Sequence, residues 1–248
     1  MDVAESVDGL LKLARARAKA GDLTGAARTW EAAIHLAEQA GIAGPEVAAR
    51  LAVSEKLVQS GKPAEALDQL LAAWGRVAEG PPSAQRAEVE GRLGQVMVFV
   101  GEVAAGVARM RAASAAWTTL GEPARSTELD LATQAVEARV DRAVSGAKDA
   151  EARVRALRLR ATMLVANGSE ALALRDLRDA WATVDPLPAG LRTVVGLDLA
   201  ALLVRGSEMD AARAVLGQAR GLTDDPNLNG AVDELLVRVA QADACPTA

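Results

Sequence analysis

Gly21, Gly61 and Gly101 stand 40 residues apart, and each separates two stretches of helical apolar periodicity. A fixed period of this length marks one supersecondary unit used several times. One helical hairpin cannot bury both of its apolar stripes, so such units must stack on their neighbours. Further breakers keep a related beat: Gly41 to Pro45, Gly80 to Pro82, Gly121 to Pro123, Ser145-Gly146, Asn167-Gly168, Asp185 to Pro188, Gly206, and Asp224 to Pro226. Glycine closes helix C-termini and proline fits a first turn. Intervals of roughly 20 residues therefore predict about twelve antiparallel helices joined by short loops. Ser83 and Asp225 stand where N-caps belong.

Composition narrows the packing. Half the residues are hydrophobic, yet only 2% are aromatic, with one Phe and no Tyr. The core must then be built from Ala, Leu and Val in close helix–helix contact, which makes the chain all-α. A net charge of −5 argues against nonspecific binding to phosphate backbones. One cysteine leaves no internal disulfide framework. Asp2 and Glu5 occupy a start that a secretory signal would make basic. The most apolar run, 93–108, is too short to span a bilayer and holds Gln95 and Glu102. The expectation is a cytoplasmic protein of bacterial-like composition, with neither nucleic acid nor membrane as partner.

The stretch from Gly21 to Ile34 leads from a turn into a helix with Ala26, Trp30 and Ala33 on one side. The same small–bulky–small spacing returns at Ala66/Leu70/Ala73, Gly106/Met110/Ala113 and Ala173/Leu177/Ala180, with a weaker copy at Ala211/Val215. A first-helix pattern is clearest at Leu93-Gly94 with Met97, and weaker at Leu10/Leu13/Ala14. In these residues the chain resembles the tetratricopeptide repeat (TPR) family, although armadillo and HEAT hairpins have periods near ~40 residues too. The resemblance implies an α-solenoid of helical hairpins. The signature lapses between Met110 and Leu177, where two long helices, about 123–144 and 147–167, intervene. That gives N-terminal hairpins over 1–121, a divergent helical pair or spacer over 122–168, and C-terminal hairpins with a capping helix over 169–248, with a phase slip near the middle.

The resemblance also implies that first helices line a concave groove for a protein or peptide. On that reading the groove residues are Leu11, Arg15, Leu51, Glu55, Val58, Gln95, Val98 and Phe99. A carboxylate clamp is not expected, since Arg15 is the one groove position with suitable chemistry. Arg153, Arg155, Arg158 and Arg160 form the densest basic run. Intramolecular pairs with Glu151 and Asp176 are the favoured reading, and an acidic partner docking on Arg155 and Arg158 is the other. Trp30, Trp74, Trp117 and Trp181 are expected to wedge between helices.

No phosphate-cradling loop, nucleophile elbow or ligand set around the single histidine, His35, is present in the sequence. No catalytic residue, metal or cofactor is therefore expected. Cys245-Pro246-Thr247-Ala248 has the length of a prenylation tail but not its aliphatic centre, and reads as a frayed end. The function expected is a non-catalytic scaffold, with possible self-association through the array ends. The alternative is a ligand-responsive sensor whose halves change angle.

Overall fold

The computed structural model describes residues 3–244, so the expectation for Cys245 to Ala248 lies outside the described residues. Among them are twelve helices and no strands. They run α1 (Val3–Lys19), α2 (Leu23–Ala40), α3 (Ala43–Gln59), α4 (Pro63–Val77), α5 (Ala84–Val100), α6 (Val103–Thr119), α7 (Pro123–Ser145), α8 (Ala150–Ala166), α9 (Glu170–Trp181), α10 (Ala189–Arg205), α11 (Met209–Ala219) and α12 (Pro226–Ala244). Ser83 caps α5 by accepting from the Arg86 amide at 3.2 Å, and Asp225 accepts from the Asn227 amide at 2.9 Å.

Contacts divide the chain into two units, Met1–Gln134 and Ala135–Ala248. Unit 1 holds the hairpins α1–α2, α3–α4 and α5–α6, with α2 packed on α3 and α4 on α5. Its first helices also approach one another, α1 to α3 and α3 to α5. Unit 2 holds α8–α9 and α10–α11, with α9 on α10, and α12 against both α10 and α11. The division falls inside α7. α8 pairs with α9, while the first half of α7 joins α6 and its end packs on α8.

Each hairpin is set by one close crossing. Two buried small residues lie 12 positions apart in every one: Ala14/Ala26, Ser54/Ala66, Gly94/Gly106, Ala161/Ala173 and Ala200/Ala212. Small side chains let the two backbones approach, and the helices then interdigitate around them. The limit is reached at α5–α6. A Cβ on Gly94 would lie 2.7 Å from the Gly106 carbonyl oxygen, and one on Gly106 would lie 2.6 Å from that of Gly94. Four residues after each second-helix small residue comes a buried bulky one: Trp30, Leu70, Met110, Leu177 and Leu216.

Two expected registers are corrected. The last copy of the spacing is Ala212/Leu216/Ala219, all fully buried, and not Ala211/Val215. In the other four hairpins the small residue lies five positions after a left-handed glycine: Gly21, Gly61, Gly101 or Gly168. In the fifth that place belongs to Ser207, at φ 61°, so counting from Gly206 shifts the frame by one. In α1 the core face is Val7, Leu11 and Ala14, whereas Leu13 is exposed.

α7 is held differently along its length. In unit 1 its Ser126 hydroxyl bonds to those of Ser114 and Thr118, each at 2.9 Å, and Ser114 donates to Asp130 at 2.6 Å. Leu129 joins Met110, Ala113 and Trp117 there. In unit 2 its Val144 packs with Val154 and Leu157.

The crossing geometry sets two expected outcomes in urea denaturation. Gly94→Ala forces backbone against backbone and costs about 1–3 kcal/mol, while Gly75→Ala, facing open space in α4, is neutral or stabilising. Ser207→Gly relieves the left-handed backbone and gains about 1 kcal/mol.

Candidate functional site

Between α3 and α5 lies a cleft of about 310 Å³ in unit 1. Its walls carry Ser54, Glu55, Val58 and Gln59 from α3 and Arg92, Gln95, Val96 and Phe99 from α5, with Leu70 of α4 beneath. The placement follows from the hairpin register. Ser54 and Gly94 are buried at their crossings, so residues one and five positions later on each helix come round to the side where first helices face each other, with Val58 of α3 and Val96 of α5 beside them. Phe99, the chain's one phenylalanine, is 68% exposed at this cleft. An aromatic ring left in water beside Val58 and Val96 is a surface that gains by being covered.

The polar groups around it are unequal. Glu55 accepts from the Gln59 amide at 3.2 Å, and Lys56 donates to the Gln59 carbonyl at 2.7 Å. Arg92 is held by Glu88 at 3.0 Å. The side chain of Gln95, half-buried, has no hydrogen-bond partner among the described residues, so its amide offers both a donor and an acceptor. Arg92 and Gln95 also border a smaller hollow with Trp117, Arg125 and Leu129. There Arg125 pairs with Glu88 at 2.5 Å and lies 5.1 Å over the Trp117 ring.

The expected groove residues separate into three groups. Glu55, Val58, Gln95 and Phe99 come together in the cleft. Leu11, Leu51 and Val98 face inward instead. Leu11 is 5% exposed in the α1–α2 core, Leu51 packs with the buried clusters of α3–α5, and Val98 sits under Gly106 where α5 meets α6. Each lies on the helix side that carries the crossing, which a count of apolar residues alone does not distinguish from the open side. Arg15 is exposed on α1, outside this cleft. Arg92, Gln59 and Val96 were absent from the sequence reading. The 40-residue translation from Lys19 to Gln59 to Phe99 would have found one such line.

The basic run is largely spent inside the fold. Arg155 pairs with Glu151 at 2.6 Å, and Arg158 with Asp198. Arg160 makes a two-pronged contact with Asp176, both bonds at 2.7 Å, and reaches Asp141 at 3.1 Å. The Asp176 bonds hold the Arg160 guanidinium still more firmly in its charged form. Neither Arg155 nor Arg158 is therefore a free anchor for an acidic partner. Elsewhere, Glu46 is buried between Arg50 at 3.0 Å and Arg76 at 2.9 Å, tying α3 to α4. Burial raises the Glu90 carboxyl above its ordinary range, with Arg109 and Arg86 acting against that shift. His35 is an exposed side chain 3.6 Å from Glu38. Of the tryptophans, Trp30 and Trp117 are buried, while Trp74 and Trp181 are partly so. Among the described residues no helix is long and apolar enough to cross a membrane.

No protein-family model and no curated protein matches the chain. Solved structures do. A point variant of the kinesin light chain nearly identical TPR-like repeats from Podosopora anserina matches at 15% identity and TM-score 0.44, covering 90% of this chain and 96% of that one. A tetratricopeptide repeat protein from Parabacteroides merdae matches at 12% identity and TM-score 0.35, over 95% and 99% of the two chains. The TPR2AB domain of yeast Sti1, in complex with pHSP90, matches at 16% identity and TM-score 0.35, over 96% and 100%. All three are tetratricopeptide-type helical repeats. The assignment of an all-α, TPR-like hairpin stack rests on this chain's own crossings.

The ion-pair geometry gives a sharp contrast in denaturation midpoints. Arg160→Ala strands a buried Asp176 and costs about 3–5 kcal/mol, whereas Arg155→Ala, losing an exposed pair, changes stability by less than about 1 kcal/mol.

Proposed function

We propose that the protein is a non-catalytic scaffold that binds a protein or peptide segment on the face lined by the first helices of unit 1, with the α3–α5 cleft at its centre. The observation that carries this reading is Phe99, exposed at 68% beside Val58 and Val96. The approach of α1 to α3 and of α3 to α5 supports it, since first helices drawn together make theirs the inner side of the stack. The open amide of Gln95 adds directional hydrogen bonding to an apolar patch, a combination that suits a peptide backbone with one seated side chain. The cleft's ionisable groups are Glu55 and an Arg92 already engaged by Glu88, which offers recognition chemistry and no nucleophile–base pair. A rigid surface of this kind binds through preorganisation and needs no bond-making step.

Affinity capture from the native host checks the proposal. The intact chain should retain a defined protein, and Phe99→Glu should reduce its recovery about tenfold or more. Circular dichroism and melting temperature should stay unchanged, because Phe99 is exposed. Retention of the same protein by Phe99→Glu and by Gln95→Ala would remove the cleft from the binding surface.

A further inference from the structure

Unit 2 repeats the α3–α5 cleft at α8–α10. Placing the crossing Ser54/Ala66 on Ala161/Ala173 and Gly94/Gly106 on Ala200/Ala212 aligns α3–α4 with α8–α9 and α5 with α10. A hollow of about 180 Å³ lies between α8 and α10, and every residue bordering it falls on a position that borders the α3–α5 cleft. Leu177 lies beneath it as Leu70 does in unit 1, and Val165 and Leu202 stand where Val58 and Val96 stand. The chain has therefore built one recess twice. The positions at which the two copies differ show what each has left to offer.

Besides the crossing residue, four positions differ in chemistry: Glu55 against Thr162, Arg92 against Asp198, Gln95 against Ala201, and Phe99 against Arg205. In unit 2 each polar group among them is engaged. The Thr162 hydroxyl donates to the Arg158 carbonyl at 3.0 Å, Arg158 holds Asp198, and Glu170 holds Arg205. In unit 1 Glu55 accepts from Gln59 and Glu88 holds Arg92, so the lining carries one charge of each sign and neither dominates. Gln95 and Phe99 are the exceptions. The Gln95 amide has no partner among the described residues, and the Phe99 ring is 68% exposed. No large apolar side chain bordering the α8–α10 hollow is exposed in that way.

We propose that Gln95 and Phe99 select the partner of the α3–α5 cleft, and that what they select is an extended, uncharged segment of a partner protein. The selection rests on the reading of that cleft as the docking surface and names its occupant more closely. A bulky apolar side chain of the segment sits against Phe99, Val58 and Val96, where covering the ring removes apolar surface from water. A peptide unit beside it gives an N–H to the Gln95 carbonyl and takes a hydrogen bond from the Gln95 amino group. Inside a helix both peptide groups are already bonded to neighbouring turns, so an extended segment is the one that has them to give. Balanced charge on the lining offers a charged anchor no counterpart to offset its desolvation.

The probe comes from a phage-displayed library of random dodecapeptides panned on the intact protein. The most enriched peptide whose capture Phe99→Glu abolishes is synthesised with a fluorophore and titrated by anisotropy. It is expected to carry a bulky apolar residue between uncharged neighbours. Gln95→Ala should weaken it about two- to tenfold. In a scan of N-methylated peptides, one methylation should cost a similar factor with the unaltered protein and nothing further with Gln95→Ala, a coupling that a merely structural Gln95 would not produce. Ala201→Gln with Arg205→Phe, both at exposed positions, should restore binding when added to the Phe99→Glu chain. Unchanged thermal melts establish that each variant is folded. If panning yields no Phe99-dependent peptide, the docking reading itself fails and the selection falls with it. If Phe99-dependent peptides carry a charged anchor, if Gln95→Ala shows no coupling to any methylation, or if the graft restores nothing, the docking reading stands and the selection is overturned.

Discussion

The fold depends on how closely two helices can approach at one point per hairpin. At every crossing the contacting residues are Ala, Ser or Gly, and at Gly94/Gly106 there is no room for even a methyl group. Close approach multiplies weak dispersion contacts between backbones, so a chain with few aromatic residues still reaches dense packing. It also explains why alanine is so abundant here without the helices being featureless. The small residues are placed for contact, and the bulky ones four positions on fill the space that the tilt opens.

Much of this was legible in the sequence because turn glycines and the small–bulky–small spacing report the same geometry twice. Where the two markers diverged, the reading slipped. Gly206 is followed by Ser207 in the left-handed position, and an alanine-rich helix gives no second cue that the frame has moved by one. Leu11 and Leu51 show the corresponding weakness in first helices. Apolar residues there occupy both the crossing side and the open side, and periodicity alone does not assign the side. The interval of 12 residues between paired small residues does assign it, because it links two helices rather than describing one. Applied along the chain, it places Ser54, Ala161 and Ala200 at crossings and sends Glu55 to the open face.

The candidate sites were less legible for a related reason. Phe99 and Val58 are apolar residues that stay outside the core, and nothing in their identity separates them from core residues. Arg155 and Arg158 show the reverse. They look available in a basic run, yet their partners, Glu151 four residues away and Asp198 forty residues away, neutralise them in the folded chain. A repeat protein carries its own control for every surface that departs from the pattern.

The join between α6 and the first half of α7 has a further consequence. It relies on Ser114, Thr118, Ser126 and Asp130, with Leu129 as its buried leucine. Water can replace hydroxyl hydrogen bonds at small net cost, whereas it cannot replace apolar contact. Opening there is cheaper than parting any of the alanine-lined crossings, so thermal fluctuation should begin at this wetter edge and leave the three preceding hairpins intact.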